Sequence, residues 1–335
     1  MMRSRVGTRT RSRAPLPGAG PSSHAALAIG AALLSACVPD IGDDTSLVSG
    51  ARVLAIAADP PEVGEGDAVN LSALVASEAE SGDAVSYFSC RARKPLSELG
   101  PVAPSCLSGS GDTLVALGSG ASVSSAIDRG ACSVFGPRRP SAEPGQPAGR
   151  AADPDATGGF YQPVMAELPG QLAVLGGVRL DCGLPSADRE QVIEYNQRHR
   201  INQNPRIDRL EALRGETWTE IVPAGAPPRI GVGERLALRV HWAECAADER
   251  CTGAETYVMY DTEATALVDR TETLLATWYA TAGDFDAPRT EATGPAPETE
   301  NAWSAPAEPG PVRLWVVLRD GRGGVGYGVY RLEIE

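Results

Sequence analysis

Two stretches of the chain repeat each other, and that repeat limits the fold more than any other feature. Pro60-Pro-Glu-Val-Gly-Glu-Gly-Asp-Ala-Val-Asn-Leu-Ser-Ala-Leu-Val75 aligns with Pro227-Pro-Arg-Ile-Gly-Val-Gly-Glu-Arg-Leu-Ala-Leu-Arg-Val-His-Trp242. The proline pair, both glycines and the apolar positions coincide: Val69 with Leu236, Leu71 with Leu238, Ala73 with Val240, and Val75 with Trp242. In both copies apolar and polar residues alternate after the glycines, the period of a strand with one buried face. The proline pair marks a break or an edge, because proline cannot donate to a sheet ladder. A short apolar strand precedes each copy, at 52–58 and 206–213.

The remaining pattern is also short strands separated by turns. Val85 to Cys90, Phe160 to Met165 and Leu172 to Leu180 extend the first half. In the second half, Pro311 to Val325 and Val329 to Glu335 form a closing hairpin around Asp320-Gly321, with Tyr330, Leu332 and Ile334 facing the core. Short strands at this spacing predict antiparallel sandwiches. The opening motif resembles that of bacterial immunoglobulin-like and PKD-like modules. The resemblance implies an all-β chain of two immunoglobulin-like β-sandwich domains joined by one short helix. Domain 1 is expected over 51–203 and domain 2 over 204–335. Gly136 to Gly159 is rich in Pro, Gly, Ala and Arg and is expected to be a mobile insertion. The connector helix is expected over 186–200, with Ser186 at its cap, Asp188 and Glu190 in the first turn and Arg198, His199 and Arg200 in the last. A second loose loop is expected from Asp284 to Asn301.

The N-terminus carries an address. Residues 1–36 contain Arg3, Arg5, Arg9, Arg11 and Arg13, no acidic residue, and a short apolar run from Ala25 to Leu34. A basic region, a short apolar region and small residues are the parts of a secretion signal. About ten apolar residues are too few to span a bilayer as a helix. The exit, Leu33-Leu34-Ser35-Ala36-Cys37, resembles the lipobox of bacterial lipoproteins. That resemblance implies cleavage before Cys37, its lipidation, and a polar tether over 37–50. Two or more acyl chains hold a protein stably on a membrane. Val38 after the cysteine favours the outer membrane over the inner. The competing reading is ordinary signal cleavage near Ala36. The Ala/Gly/Arg-rich composition as a whole resembles uncharacterised lipoproteins of myxobacteria-like genomes.

Besides Cys37 there are six cysteines, Cys90, Cys106, Cys132, Cys182, Cys245 and Cys251. An even number in an exported chain indicates disulfides. Cys245 and Cys251 flank one polar turn and are expected to pair. The other four lie in the first half, where Cys90–Cys106 with Cys132–Cys182 is chosen among the possible pairings. Zinc needs closely spaced Cys or His ligands, and the spacing offers none.

The chain has a net charge of −13, and the leader supplies five of its 30 basic residues and none of its 43 acidic ones. A surface this acidic disfavours nucleic acid. With three histidines and no nucleophile elbow, phosphate loop or dinucleotide fingerprint, no enzyme and no cofactor are expected. The aspartates at 40, 43 and 44, at 153 and 155, and at 284 and 286 form loop clusters too small for a full calcium loop. All five tryptophans, Trp218, Trp242, Trp278, Trp303 and Trp315, lie in the second half. Trp242 and Trp315 are expected in the core. Trp278, Tyr279 and Trp303 are the candidate binding platform. The function expected is a structural, adhesive or protein-binding module anchored to the membrane by lipid, with an envelope protein or glycan as partner. The alternative is a carbohydrate-binding or, less so, hydrolytic surface module.

Overall fold

A computed structural model describes residues 45–77, 84–93, 102–109, 111–137, 159–184, 187–246, 250–261, 263–292 and 296–335. The leader, Cys37, most of the expected insertion, Ser186, and the aspartates at 40, 43, 44, 153 and 155 lie outside the described residues.

Among the described residues, eight strands form the first lobe: β1 (Arg52–Asp59), β2 (Glu62–Val63), β3 (Ala68–Ala76), β4 (Val85–Cys90), β5 (Leu114–Gly120), β6 (Ser122–Ala126), β7 (Phe160–Glu167) and β8 (Val174–Leu180). One sheet has the order β1-β3-β6 and the other β2-β8-β7-β4-β5. Twelve strands form the second lobe: β9 (Ile207–Arg214), β10 (Thr217–Glu220), β11 (Arg229–Ile230), β12 (Arg235–Trp242), β13 (Thr256–Asp261), β14 (Ala266–Thr271), β15 (Leu275–Ala280), β16 (Asp284–Phe285), β17 (Arg289–Glu291), β18 (Glu298–Ser304), β19 (Gly310–Arg319) and β20 (Val325–Ile334). Its sheets are β10-β9-β12-β18-β16 and β11-β20-β19-β15-β17, with β13 and β14 forming a separate hairpin.

The two lobes share a topology. In each, the strand at the proline pair runs parallel to the lobe's last strand, β2 beside β8 and β11 beside β20, while the other ladders are antiparallel. Two facing sheets connected this way form the immunoglobulin-like sandwich. The repeat also has a repeated local structure. Gly64 N donates to Asp67 Oδ2 at 3.0 Å, and Gly231 N donates to Glu234 Oε2 at 2.8 Å. Gly66 (φ +86°) and Gly233 (φ +69°) occupy the left-handed region, which glycine enters without the Cβ penalty.

Each lobe has its own core. Val69, Leu71, Tyr87, Val164 and Val178 fill the first; Leu238, Val240, Trp278, Trp303, Leu314 and Tyr330 belong to the second. A third apolar group lies between the lobes, where Val48, Leu54, Ala55, Leu74 and Ala76 meet Trp315 and Val317. β3 was expected to be half-buried. From Leu74 onward its outer face is covered by the second lobe, so it buries both faces. The expected tether also ends early: Val48 N donates to Ala280 O at 2.7 Å, and Ala280 N donates to Ser46 O at 2.9 Å.

Among the described residues there are three α-helices: α1 (Pro104–Leu107), α2 (Ala131–Val134) and α3 (Arg189–Arg198). α3 is the expected connector, but shorter. Asp188 is its cap, accepting from Gln191 N while Gln191 Oε1 accepts from Asp188 N, a reciprocal capping box. The loop expected from Asp284 to Asn301 contains strand segments, because β16 pairs with β18 and β17 with β15.

Disulfides join Cys90 to Cys106, Cys132 to Cys182, and Cys245 to Cys251, closing separations of 16, 50 and 6 residues. Loop-closure entropy makes the longest the most stabilising. Replacing Cys132 and Cys182 together with Ser is expected to lower stability by about 4 kcal/mol, and replacing Cys245 and Cys251 by about 2 kcal/mol, in urea titrations.

Candidate functional site

The expected platform does not form. Trp278 and Trp303 are each 0% exposed. The Trp278 Nε1–H donates to Thr290 Oγ1 at 2.8 Å, and the Trp303 Nε1–H donates to Ala282 O at 3.2 Å. Their rings fill the second core, where an indole is well placed once its N–H has a partner. Tyr279 packs against the interlobe apolar group with the Arg52 guanidinium 5.3 Å from its ring centre. Trp242 and Trp315 are buried as expected. Trp218 is half-buried, with Arg239 4.1 Å over its ring. Asp284 and Asp286 do not converge on a cation site: Asp286 pairs with Arg235. Among the described residues no group of His, Cys, Asp and Glu is arranged to hold a metal ion.

The structure instead gathers charge where the lobes meet. From the first lobe come Glu62 on β2, Tyr161 on β7 and Arg179 on β8. From the connector come His199, Asn202 and Gln203. From the second lobe come Glu255 before β13, Tyr257 on β13, Glu272 after β14, and Asp320 and Arg322 in the β19–β20 turn. The hairpin base holds Glu255 and Glu272 side by side, with Glu272 N donating to Glu255 O at 2.9 Å.

Arg322 is the hub, with its side chain 1% exposed. Its Nε donates to Glu272 Oε1 at 2.6 Å, its Nη2 to Glu255 Oε2 at 2.7 Å and its Nη1 to Arg200 O at 3.0 Å. Nη1 also lies 3.9 Å from Glu62 Oε2 across the lobe boundary. The guanidinium sits 4.7 Å from the Tyr257 ring centre. Glu62 is the matching anion of the first lobe. Its Oε1 accepts from Arg179 Nε at 3.0 Å and lies 3.4 Å from His199 Nε2, while its Oε2 accepts from Asn202 N at 2.8 Å. Asn202 Nδ2 then donates to Asp320 Oδ2 at 3.2 Å. The connector is thus bonded into both lobes.

Further bonds cross the boundary. Asn204 Nδ2 donates to Ala58 O at 2.7 Å while its Oδ1 accepts from Val325 N at 2.8 Å. Arg319 Nη2 donates to Leu54 O at 3.0 Å. Gly323 (φ +93°) brings the turn against Tyr161, and a Cβ there would lie 2.9 Å from the ring.

The two ends of the cluster have opposite electrostatics. Burial alone would raise the pKa of Glu62, but His199, Arg179 and the Asn202 amide outweigh it and hold it at about 2. Burial, then the nearby Asp320, push Glu272 up to about 7 against the pull of Arg322. Burial also raises Glu255 and Asp320. The carboxylates of Glu62, Glu255, Glu272 and Asp320 each accept from a protein donor within 3.2 Å. The arrangement bonds the two lobes and the connector to one another.

No residue of this cluster was singled out from the sequence as a site residue; His199 was placed at a helix end and Asp320 in a turn. A cue was present in β2, where Glu62 occupies a position that the strand buries, and in the Gly-Arg-Gly-Gly run of the β19–β20 turn. Neither identifies its partners, which are up to 260 positions away in the chain.

No protein-family model matches the chain, and no curated protein matches it. Several solved structures align at low similarity. The D0-D1 domain of intimin aligns over 84% of this chain and 98% of its own, at 10% identity and a TM-score of 0.22. The adhesin InvE of Yersinia pseudotuberculosis covers 84% of this chain and 58% of its own, at 9% identity and a TM-score of 0.19. Red sea bream transglutaminase covers 86% and 32%, at 10% identity and a TM-score of 0.23. At these scores the likenesses carry no argument; the fold assignment rests on the strand pairing itself.

Proposed function

We propose that this chain is an exported structural or adhesive module of a bacterial envelope, tethered by lipid at Cys37, whose two sandwiches act as one rigid body toward an envelope protein or glycan. The observation that carries the reading is the buried cluster around Arg322 and Glu62. A flexible pair of domains needs no such cluster, and it costs desolvation that only close pairing offsets. Interfaces between domains of one chain are otherwise open to relative motion. Three disulfides support an oxidising, extracytoplasmic setting. The carboxylates of the cluster are held by cations and amides, which supports a binding role over a catalytic one. The carbohydrate-binding alternative loses its platform with Trp278 and Trp303 in the core.

Membrane fractionation and intact mass of the native protein beside Cys37→Ala test the tether. Acyl mass on a chain beginning at Cys37, lost together with membrane association in the variant, is the expected result. An unmodified product in the soluble fraction overturns the tether and leaves a secreted binding module.

A further inference from the structure

The strand β6 ends the β1-β3-β6 sheet of the first lobe. Among the described residues it pairs with β3 alone, without a register shift, from Ser122 opposite Ser72 to Ala126 opposite Ala68. The outward N–H and C=O groups of such a strand are a template for another chain, and proteins guard them with charge, proline, a bulge or a covering element. Among the described residues none of these guards meets β6, whose sequence is Ser-Val-Ser-Ser-Ala. Apart from β5, every other strand at a sheet edge carries charge, from Glu62 on β2 to Arg289 and Glu291 on β17. β5 is guarded differently. Its ladder to β4 shifts register between Tyr87 and Phe88, and Gly118 (φ +134°) and Gly120 (φ +152°) bend it.

The backbone bonds show which groups of β6 face the open side. Ile127 N donates to Asp67 O at 2.9 Å, and Gly66 N donates to Ile127 O at 3.0 Å, so Ile127 is turned toward β3. Backbone groups alternate sides along an antiparallel strand, so Ser122, Ser124 and Ala126 turn their N–H and C=O groups to the edge. Ala126 O has the Ser125 hydroxyl at 3.5 Å and keeps a second lone pair. The side chains of the same three residues are exposed on the outer face, while Val123 packs against the first core.

We propose that β6 pairs with β6 of a second copy of this chain, antiparallel about a twofold axis at Ser124, and joins the two β1-β3-β6 sheets into one sheet of six strands. Charge and symmetry select this occupant. A chain of net charge −13 repels its own copies. That repulsion is least where both approaching surfaces are uncharged, and β6 is such a surface. A twofold contact presents one patch to itself, so the patch must be self-complementary. About Ser124, Ser122 of one copy faces Ala126 of the other and Ser124 faces Ser124. Each facing pair can exchange two N–H···O bonds, and on the core side Val123 of one copy meets Ser125 of the other. The pairing does not require lipid at Cys37, and it goes beyond binding to an envelope protein or glycan. Five residues a side bury less than a stable dimer in dilute solution needs, so the association is weak and is best read by trapping it.

Ser124→Cys in the full chain, with oxidised glutathione as the oxidant, sets the trap. Its two thiol-bearing residues would stand about 5.5 Å apart at Cα, the spacing of a hydrogen-bonded antiparallel pair and one that a disulfide spans. Thr219→Cys, exposed on the edge strand β10, is the control for random collision. Disulfide-linked dimer is expected to form roughly tenfold faster through Ser124→Cys, because pairing raises the effective thiol concentration. A rate no greater than that of the control overturns the second copy as occupant and leaves the edge to an extended segment of another protein. A charge swap reads the axis without a disulfide. The twofold sets position 124 opposite itself, so Ser124→Lys and Ser124→Glu alone are each expected to self-associate about fivefold more weakly than the native chain in sedimentation equilibrium, and their mixture to recover the loss. Both substitutions lie on the exposed face, so folding is not at stake. Self-association unchanged in both variants overturns the axis at Ser124.

Discussion

Arg322→Ala is expected to lower the stability of the folded chain by about 3–5 kcal/mol in urea unfolding at neutral pH. The substitution removes the one cation shared by Glu255 and Glu272, whose side chains are 3% and 0% exposed. Removing one partner of a buried pair strands the other charge in a medium that solvates it poorly, and here two carboxylates are stranded. The carbonyl of Arg200 loses its donor as well. The cost should shrink toward pH 5, because the stranded carboxyls can then take up protons. Arg322→Lys should recover only part of the loss, since an ammonium cannot reach the two carboxylates with the geometry of a guanidinium fork. Arg229→Ala is the control. Its pair with Glu335 is exposed on both sides, so the expected change is within about 0.5 kcal/mol. Equal effects for Arg322→Ala and Arg229→Ala would mean that the cluster contributes little.

Trp278→Ala is expected to cost about 3–5 kcal/mol, the range for deleting a buried large aromatic. The ring lies at the centre of the second core, tilted against Phe285 at 5.9 Å, and its N–H holds Thr290 on the neighbouring strand β17. The cavity left by an indole cannot collapse between two sheets whose spacing is set by their other side chains. Trp218→Ala should cost about 1 kcal/mol or less, since its half-buried ring loses mainly the stacking with Arg239. Comparable losses in the two variants would contradict the assignment of Trp278 to the core.

The strand framework was legible because it depends on local, periodic information. Alternation in 68–76 and 235–242, the glycines at 66 and 233 and the paired prolines are properties of contiguous residues, and the structure uses each of them. The cysteine pairs were reachable because only a few partners lay in each half. The interlobe cluster was not legible. Arg179 and Glu272 resemble ordinary surface charges until the fold juxtaposes them, and the Gly-Arg-Gly-Gly run around Arg322 does not identify its partners. The tryptophan platform failed for a related reason. Trp278 lies beside a polar stretch, but Phe285 and Thr290 contact its ring from a segment that was expected to be loop. The second buried face of β3 was missed because half of its cover comes from the other lobe.

The central claim, that the two sandwiches form one locked body, is tested most directly by urea unfolding followed at once by tryptophan emission and by far-ultraviolet circular dichroism. All five tryptophans lie in the second lobe, with Trp315 at the boundary, so emission reports that lobe and the boundary while dichroism reports both lobes. Coincident transitions with one midpoint are the result predicted for the native chain, with the two signals separating in Arg322→Ala. Two separate transitions in the native chain would contradict the account.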